Sequence, residues 1–405
     1  MQTVYERCCG LDVHKKLIVS CFRNGKKAEL RKFDTLTVSI RELGNWLLNN
    51  GCQMIAMEST GVYWKPIYNV LELLNLDVMV VNAHHMKNVP GRKTDAKDAE
   101  WIADLLQHGL LRASFIPDRE QRELREIVRY RKSLVEERSR ELNRLEKVLE
   151  GANIKLSSFV SELSGVSSRK LIEQALVGEI NQENIGDLIH SSMQDKKADL
   201  LKAMDGCFSS IQKKLVKAIL DHIDDMSRRI KELDNIINNQ MKGYEAEIKK
   251  IDDMAGIGRR SAEVIISEIG TDMSRFPSDA HISSWSGLCP GNNESAGKRK
   301  NGKTTKGNNT LKSTLIQCAK SAIKNKNSFF YAQYQRLVVR RGANRATVAV
   351  AHSMVIAIYH MLKNNVIFKD LGSDYYTKYN AESKARYYIT KLQQLGVSVP
   401  VSLAI

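Results

Sequence analysis

Four acids near the N-terminus stand where apolar residues or a helix start would be expected. Asp12 lies within Gly10-Leu11-Asp12-Val13-His14-Lys15, an apolar, glycine-containing stretch that reads as a first strand. A carboxylate there is costly to bury unless it meets a cation or a hydrogen-bond donor. Glu58 closes a second apolar strand, Met54 to Met57, ahead of Ser59-Thr60-Gly61. Strand ends in α/β sheets are where ligand sites gather. In Gly91-Arg92-Lys93-Thr94-Asp95-Ala96-Lys97-Asp98-Ala99, Thr94 is a candidate N-cap. Asp95 and Asp98 then share nearly one face of a first helical turn. Hard divalent cations take oxygen ligands, and Mg²⁺ combines a few carboxylates with waters and substrate phosphate. Four acids at one sheet edge suit two ions about 3.5–4 Å apart, the arrangement used for phosphoryl displacement. For Asp95 or Asp98 alone, the simpler reading is a cap that complements the helix dipole. The set of four favours a metal site. His84-His85 falls in a loop and faces phosphate or solvent.

A second segment runs from Gly287 to Asn309. From Ser286 to Lys312 it carries Lys298, Arg299, Lys300, Lys303, Lys306 and Lys312 against a single acid, Glu294, with glycines at 287, 291, 297, 302 and 307. Glycine lets backbone approach a ligand closely, and the cations make a phosphate-binding surface. Ser295 sits at the junction of the acidic and basic parts. A serine hydroxyl is a weak nucleophile that needs a base or electrostatic help. Neighbouring cations supply such help to a phosphorane-like transition state. Ser283, Ser284 and Ser286 compete for the role, and composition does not choose among them. Upstream, Met254-Ala255-Gly256-Ile257-Gly258 precedes a helix, as in a helix-hairpin-helix that offers backbone N–H groups to DNA phosphate. Packing alone also produces such a turn.

These residues need elements to position them. Cys8 to His14, Leu17 to Phe22 and Ala28 to Phe33 predict three strands, with Asn24-Gly25 as a turn. Helices at Val38–Leu48 and Tyr63–Leu74 alternate with strands at Met54–Met57 and Leu76–Val81, and a helix at Ala96–Leu106 follows. That order implies a mixed sheet with helices on its faces. Beyond Pro117, Arg119 to Glu150 is dense in both charge signs. Val128, Val135, Leu142 and Leu149 recur every seven residues, Leu124 and Leu145 take the companion position, and Arg131 and Arg138 interrupt it. This predicts a long amphipathic helix of coiled-coil type. Gly151 to about Asp205 predicts short helices. A second long helix carries apolar residues three and four apart from Phe208 to Ile248. The two seams pair either within one chain or between chains. From Ile251 the pattern predicts helices at Ser261–Ile269, Thr310–Lys324, Ser328–Arg340 and Ala346–Lys363, with a loop-rich stretch over Ser274–Asn301.

The chain has 405 residues, with Lys+Arg 62 against Asp+Glu 46 and a net charge of +16. Such a balance favours a polyanionic partner, of which nucleic acid is the commonest. A basic surface serving solubility is the alternative. The 42% of hydrophobic residues excludes a wholly disordered chain. No apolar run approaches the roughly 20 residues of a membrane span, so a soluble protein without a membrane partner is expected. Met1 to Lys16 lacks the uninterrupted apolar core of a signal peptide. The seven cysteines form no CxxC pair, which argues against a zinc module and fits a reducing cytosol.

Gly10-Leu11-Asp12-Val13-His14-Lys15, Glu58-Ser59-Thr60-Gly61-Val62-Tyr63-Trp64 and Lys93-Thr94-Asp95-Ala96-Lys97-Asp98-Ala99 resemble the three acidic blocks of the DEDD transposases. These are insertion-sequence recombinases guided by a bridge RNA, with site-specific DNA invertases of the Piv type as relatives. The resemblance covers nearly the whole chain. It implies an α/β RNase H-like (RuvC-like) catalytic domain over 1–115 and a long-helix coiled-coil linker and assembly region over 116–250. A mostly α-helical C-terminal transposase domain over 251–405 would hold the helix-hairpin-helix-like segment and the serine loop. It implies that Asp12, Glu58, Asp95 and Asp98 bind Mg²⁺, with Mn²⁺ as a substitute. It also implies a serine nucleophile in a Ser-Gly-Lys-like context after Gly-x-x-Pro. Gly287-Leu288-Cys289-Pro290 followed by Glu294-Ser295-Ala296-Gly297-Lys298 places that role on Ser295, with Ala296 inserted. Arg92, Lys93, Lys298, Arg299, Lys300, Lys303 and Lys306 are the expected nucleic-acid contacts. The implied partners are donor and target DNA, a structured bridge RNA and further copies of the chain. In the implied tetramer each active site joins the acidic domain of one protomer to the serine domain of another. The expected location is the bacterial cytoplasm, at the nucleoid. Two other readings stand beside this one: a RuvC-type Holliday-junction endonuclease that attacks with water, and a non-catalytic nucleic-acid-binding regulator.

Overall fold

The computed structural model describes residues 3–59, 61–82, 98–291, 293–295, 298–301, 303–379 and 381–397, with the backbone alone at 293–295, 298–301, 377, 382 and 384. The chain divides into two compact units, Met1–Arg119 and Glu120–Ile405.

The first unit is built on five strands: β1 (Arg7–Val13), β2 (Ile18–Asn24), β3 (Lys27–Phe33), β4 (Met54–Glu58) and β5 (Val78–Val81). Their order is β3-β2-β1-β4-β5, with β1, β2 and β3 antiparallel and β1, β4 and β5 parallel. Gly25 has φ 58°, which the tight turn between β2 and β3 requires. Alternate side chains of each strand point to opposite faces. Cys9, Leu11, Val13, Ile55 and Met57 are buried together with residues of α1 (Thr37–Asn49) and α2 (Trp64–Leu73). Cys8, Ala56 and Val81 face the other way, onto Ile102, Leu105 and Leu106 of α3 (Asp98–Gln107). The mixed sheet with helices on its faces is the RNase H-like arrangement expected from the sequence. A Cβ on Gly10 would lie 2.4 Å from both Ala103 N and Ala99 O, so α3 rests directly on β1.

The second unit opens with the long helix α4 (Arg119–Gly151). Residues 152 to 209 fold back through α5 (Val166–Val177), α6 (Ile185–Leu188) and α7 (Lys197–Ala203). Then α8 (Ser210–Gln240) returns, opened by a capping box of Ser209 and Gln212. Arg131 Nε lies 2.6 Å from Asp234 Oδ1, Arg138 Nη1 lies 3.3 Å from Ser227 Oγ, and Glu141 lies 3.7 Å from His222. Rising numbers on one helix meet falling numbers on the other, so α4 and α8 are an antiparallel hairpin within one chain. Leu145 and Leu149 share a core with Val216, Leu220, Ile223 and the short helices. The two arginines that interrupt the seam meet polar partners on α8. The second long helix does not run to Ile248 as its periodicity predicts. A 3-10 turn at Met241–Tyr244, containing Gly243, ends it, and α9 (Glu245–Asp252) starts afresh.

The remainder is mostly helical: α10 (Arg259–Ile269), α11 (Asp279–Trp285), α12 (Asn309–Ala322), α13 (Phe329–Arg341), α14 (Ala343–Asn364), α15 (Tyr375–Lys378) and α16 (Ala381–Gln394). The stretch expected to be loop-rich holds α11 and a hairpin of β6 (Asn293–Ser295) and β7 (Lys298–Asn301). Asn-Glu-Ser and Lys-Arg-Lys-Asn carry no apolar alternation, so no pattern announces them as strands. Helix α14 also departs from expectation, because its 22 residues are long and apolar enough to cross a membrane. Its Val350, Ala351, Met354, Val355 and Ile358 are fully buried, and it packs against α11, α12 and α13 as the central helix of this bundle.

Candidate active site: an acidic sheet edge and a serine hairpin

Asp12 and Glu58 are brought together by strand pairing. Leu11 stands opposite Met57 in the parallel β1–β4 ladder, so the next step sets Asp12 beside Glu58. Two residues earlier on the same faces, Gly10 touches α3 and Ala56 is buried against it. Asp12 and Glu58 therefore project on the α3 side, at the C-terminal ends of their strands. Cys8 Sγ lies 3.7 Å from Ala103 O, whereas Gly10 meets Ala99 and Ala103, so α3 runs antiparallel to β1. Its first described turn, with Asp98, comes beside Asp12. Val19, the ladder partner of Asp12 on β2, packs with Ala99.

Asp12 and Glu58 thus stand near the ends of neighbouring strands on the α3 side and Asp98 opens α3, each partly buried. Asp95, Arg92, Lys93 and His84-His85 lie outside the described residues. Among the described residues, no group of three or more His, Cys, Asp or Glu side chains is close enough to hold a metal ion. Carboxylate oxygen is the donor that these three acids offer, which is the chemistry a hard divalent cation takes. Asp12 has a further partner that the sequence reading left unpaired. His14 Nε2 lies 3.1 Å from Asp12 Oδ2. The i, i+2 spacing of an extended strand was the signal for that pair.

The serine segment is a closed stem ending in the β6–β7 hairpin. Asn308 N donates to Trp285 O (3.0 Å), Thr305 N to Cys289 O (3.1 Å) and Gly291 N to Lys303 O (2.7 Å). Beyond them Ser295 pairs with Lys298. Ser295 therefore ends β6, while Lys298, Arg299 and Lys300 lie on β7. Lys303 and Lys306 are exposed on the returning leg. Of the competing serines, Ser283 and Ser286 are fully buried, which removes both as groups that attack an outside substrate. Ser284 is exposed on α11. Cys289, in the stem, has its Sγ 3.9 Å from His352 Nε2. Burial raises the thiol above its usual range and lowers the imidazole, so the pair is neutral.

The glycine turn between α9 and α10 has two different glycines. Gly256 has φ 84°, and a Cβ there would lie 2.4 Å from Ala322 N, so it serves packing against α12. Gly258 has open space where a Cβ would point, and it precedes the first turn of α10. The cations of that turn are engaged within the unit: Arg259 binds Glu245 and Glu263, and Arg260 binds Asp234 and Glu263.

Two family models match this chain. One, of DEDD and IS110 type and described as a transposase, matches residues 9–154. The other, described as a transposase of the IS116/IS110/IS902 family, matches residues 248–335. A Pseudomonas aeruginosa protein named "Probable family 20 transposase" is 24% identical over 367 residues, 89% of this chain and 94% of that one. The "Transposase for insertion sequence element IS1111A" of Coxiella burnetii is 21% identical over 368 residues, 89% of this chain and 87% of that one. The "Insertion element IS110 uncharacterized 43.6 kDa protein" of Streptomyces coelicolor is 24% identical over 310 residues, 69% of this chain and 73% of that one. The two family models and the names of the relatives put this chain in the transposase class of enzymes. The chain belongs to the IS110/IS116/IS902 family of transposases.

Proposed function

We propose that this transposase cuts and rejoins DNA with a divalent cation held by Asp12, Glu58, Asp95 and Asp98 and with Ser295 as nucleophile. The alignment of Asp12 with Glu58 beneath the start of α3 carries the reading. A bound Mg²⁺, or Mn²⁺ in its place, would polarise the scissile phosphate and neutralise charge developing on it. The acids would act on the phosphate only through that cation, because carboxylates alone repel it. The Ser295 oxygen forms a bond to phosphorus as the bond to the leaving deoxyribose oxygen breaks, the serine proton passing through solvent to that oxygen, leaving a phosphoserine until strand exchange reverses the step. Lys298, Arg299, Lys300, Lys303 and Lys306 hold the strand by its phosphates, and Arg92 and Lys93 add further phosphate contacts. The family's partners complete the reading: donor and target DNA, a bridge RNA that selects them, and a tetramer in the bacterial cytoplasm at the nucleoid.

The test is denaturing electrophoresis of labelled DNA after reaction with the full chain, followed by mass spectrometry of the adducted peptide. Wild type is expected to give an adduct on Ser295, and Ser295→Ala none, with DNA binding retained. Cleavage without any adduct would make the enzyme a water-using junction nuclease. An adduct on Ser284 would move the nucleophile and keep the mechanism.

A further inference from the structure

We propose that Glu268 is a positioning residue for the serine hairpin and acts through Asn308; the inference rests on the reading of Ser295 as nucleophile. The stem of that hairpin closes on two glycines. Gly287 has φ 73°, and a Cβ on Gly307 would lie 2.3 Å from Gly287 N and 2.6 Å from Trp285 O. Glycine backbone is permissive, so a neck made of two glycines does not by itself fix the angle at which the stem leaves the bundle.

Asn308, the next residue, fixes it. Its Oδ1 accepts from Leu311 N at 3.0 Å and caps α12, and its Nδ2 donates to Glu268 Oε2 at 2.6 Å. One amide end is committed to the helix and the other to the carboxylate, which leaves a single orientation of the side chain. Glu268 is fully buried on α10. Arg129 of α4 grips it with Nε and Nη2 at 2.6 and 2.7 Å, and Arg125 Nε adds a contact at 3.2 Å. Burial lowers the Arg125 guanidinium to about 10 while Glu268 opposes that shift. A buried ion cluster is a poor source of stability, since apolar residues of the same volume often do as well. What the cluster does provide is geometry. It ties the long helix, the helix after the glycine turn and the foot of the stem to one carboxylate.

Asn308→Ser tests this, because serine keeps an N-cap oxygen and removes the donor to Glu268. The assay uses the full chain with Mg²⁺ and labelled DNA spanning the ends of the element that encodes it. The melting temperature and DNA affinity are expected to stay at wild-type values. Amide exchange at Gly291 and Thr305 is expected to quicken, and adduct formation to slow about 10- to 100-fold, as misplacement by about 1 Å does. Asn308→Asp sets two carboxylates together and should be slower still. Adding Glu268→Gln to it reverses the hydrogen bond and should recover part of the rate. A wild-type adduct rate in Asn308→Ser overturns the proposal, as does a parallel fall in melting temperature, binding and rate. Quickened stem exchange in a chain whose wild type forms no adduct supports the positioning role and overturns Ser295 as nucleophile.

Discussion

At the scale of single residues, the acids make the sharpest claim. Asp12→Asn and Glu58→Gln keep the side-chain volume and each remove one of two neighbouring negative charges, so folding stability without metal is expected to hold or rise. DNA cleavage in Mg²⁺ is expected to vanish in both. Calorimetric titration of Mg²⁺ into each variant separates loss of the cation from loss of fold, and cleavage by wild type in EDTA would contradict the assignment. A second residue-scale expectation concerns acid. Burial holds the His352 imidazole below the ordinary histidine value of 6.5, with Asp279 opposing. The unfolded chain therefore takes up the proton first, and this contribution to stability is full above about pH 6.5 and shrinks as pH falls through the lowered native value. Chemical denaturation between pH 7.5 and 5 should show a fall that His352→Gln makes shallower.

At the scale of elements, Gly10 sets how closely α3 lies on β1. Its Cβ position is filled by two backbone atoms of α3, and neither can yield without moving the helix. Gly10→Ala is expected to cost about 1–3 kcal/mol by overpacking. Urea unfolding should show the lowered midpoint, and cleavage should fall with it because Asp98 rides on the displaced helix. Much of this unit was legible in the sequence, since strands with period two and helices with period 3.6 announce themselves in Leu11, Ile55, Leu43 and Leu71. The acidic residues stood out because they break that pattern. The β6–β7 hairpin was not legible, because its strands bury no alternating apolar set. The Glu268 cluster was hidden for another reason: Arg129 and Glu268 are 139 positions apart, and no local spacing joins them. The break at Gly243 was overlooked because apolar periodicity continues on its far side, at Tyr244 and Ile248.

At the scale of the whole molecule, the two long helices leave open from sequence alone whether they join copies or fold a single chain back on itself. The polar partners of Arg131 and Arg138 answer that within this chain. Replacing Arg131 alone with Met takes the 2.6 Å partner from Asp234, leaves that carboxylate to Arg260 and should destabilise the arm modestly. Adding Asp234→Leu also takes a partner from Arg260 and should destabilise the arm further. Circular dichroism melts of the two variants check the order. A seam consumed internally also has a mass-action signature. Its opening is a first-order event, so the melting of the arm should be independent of protein concentration, whereas a seam shared between copies would melt later as the concentration rises. Dilution would then separate any copies that associate while leaving every arm closed.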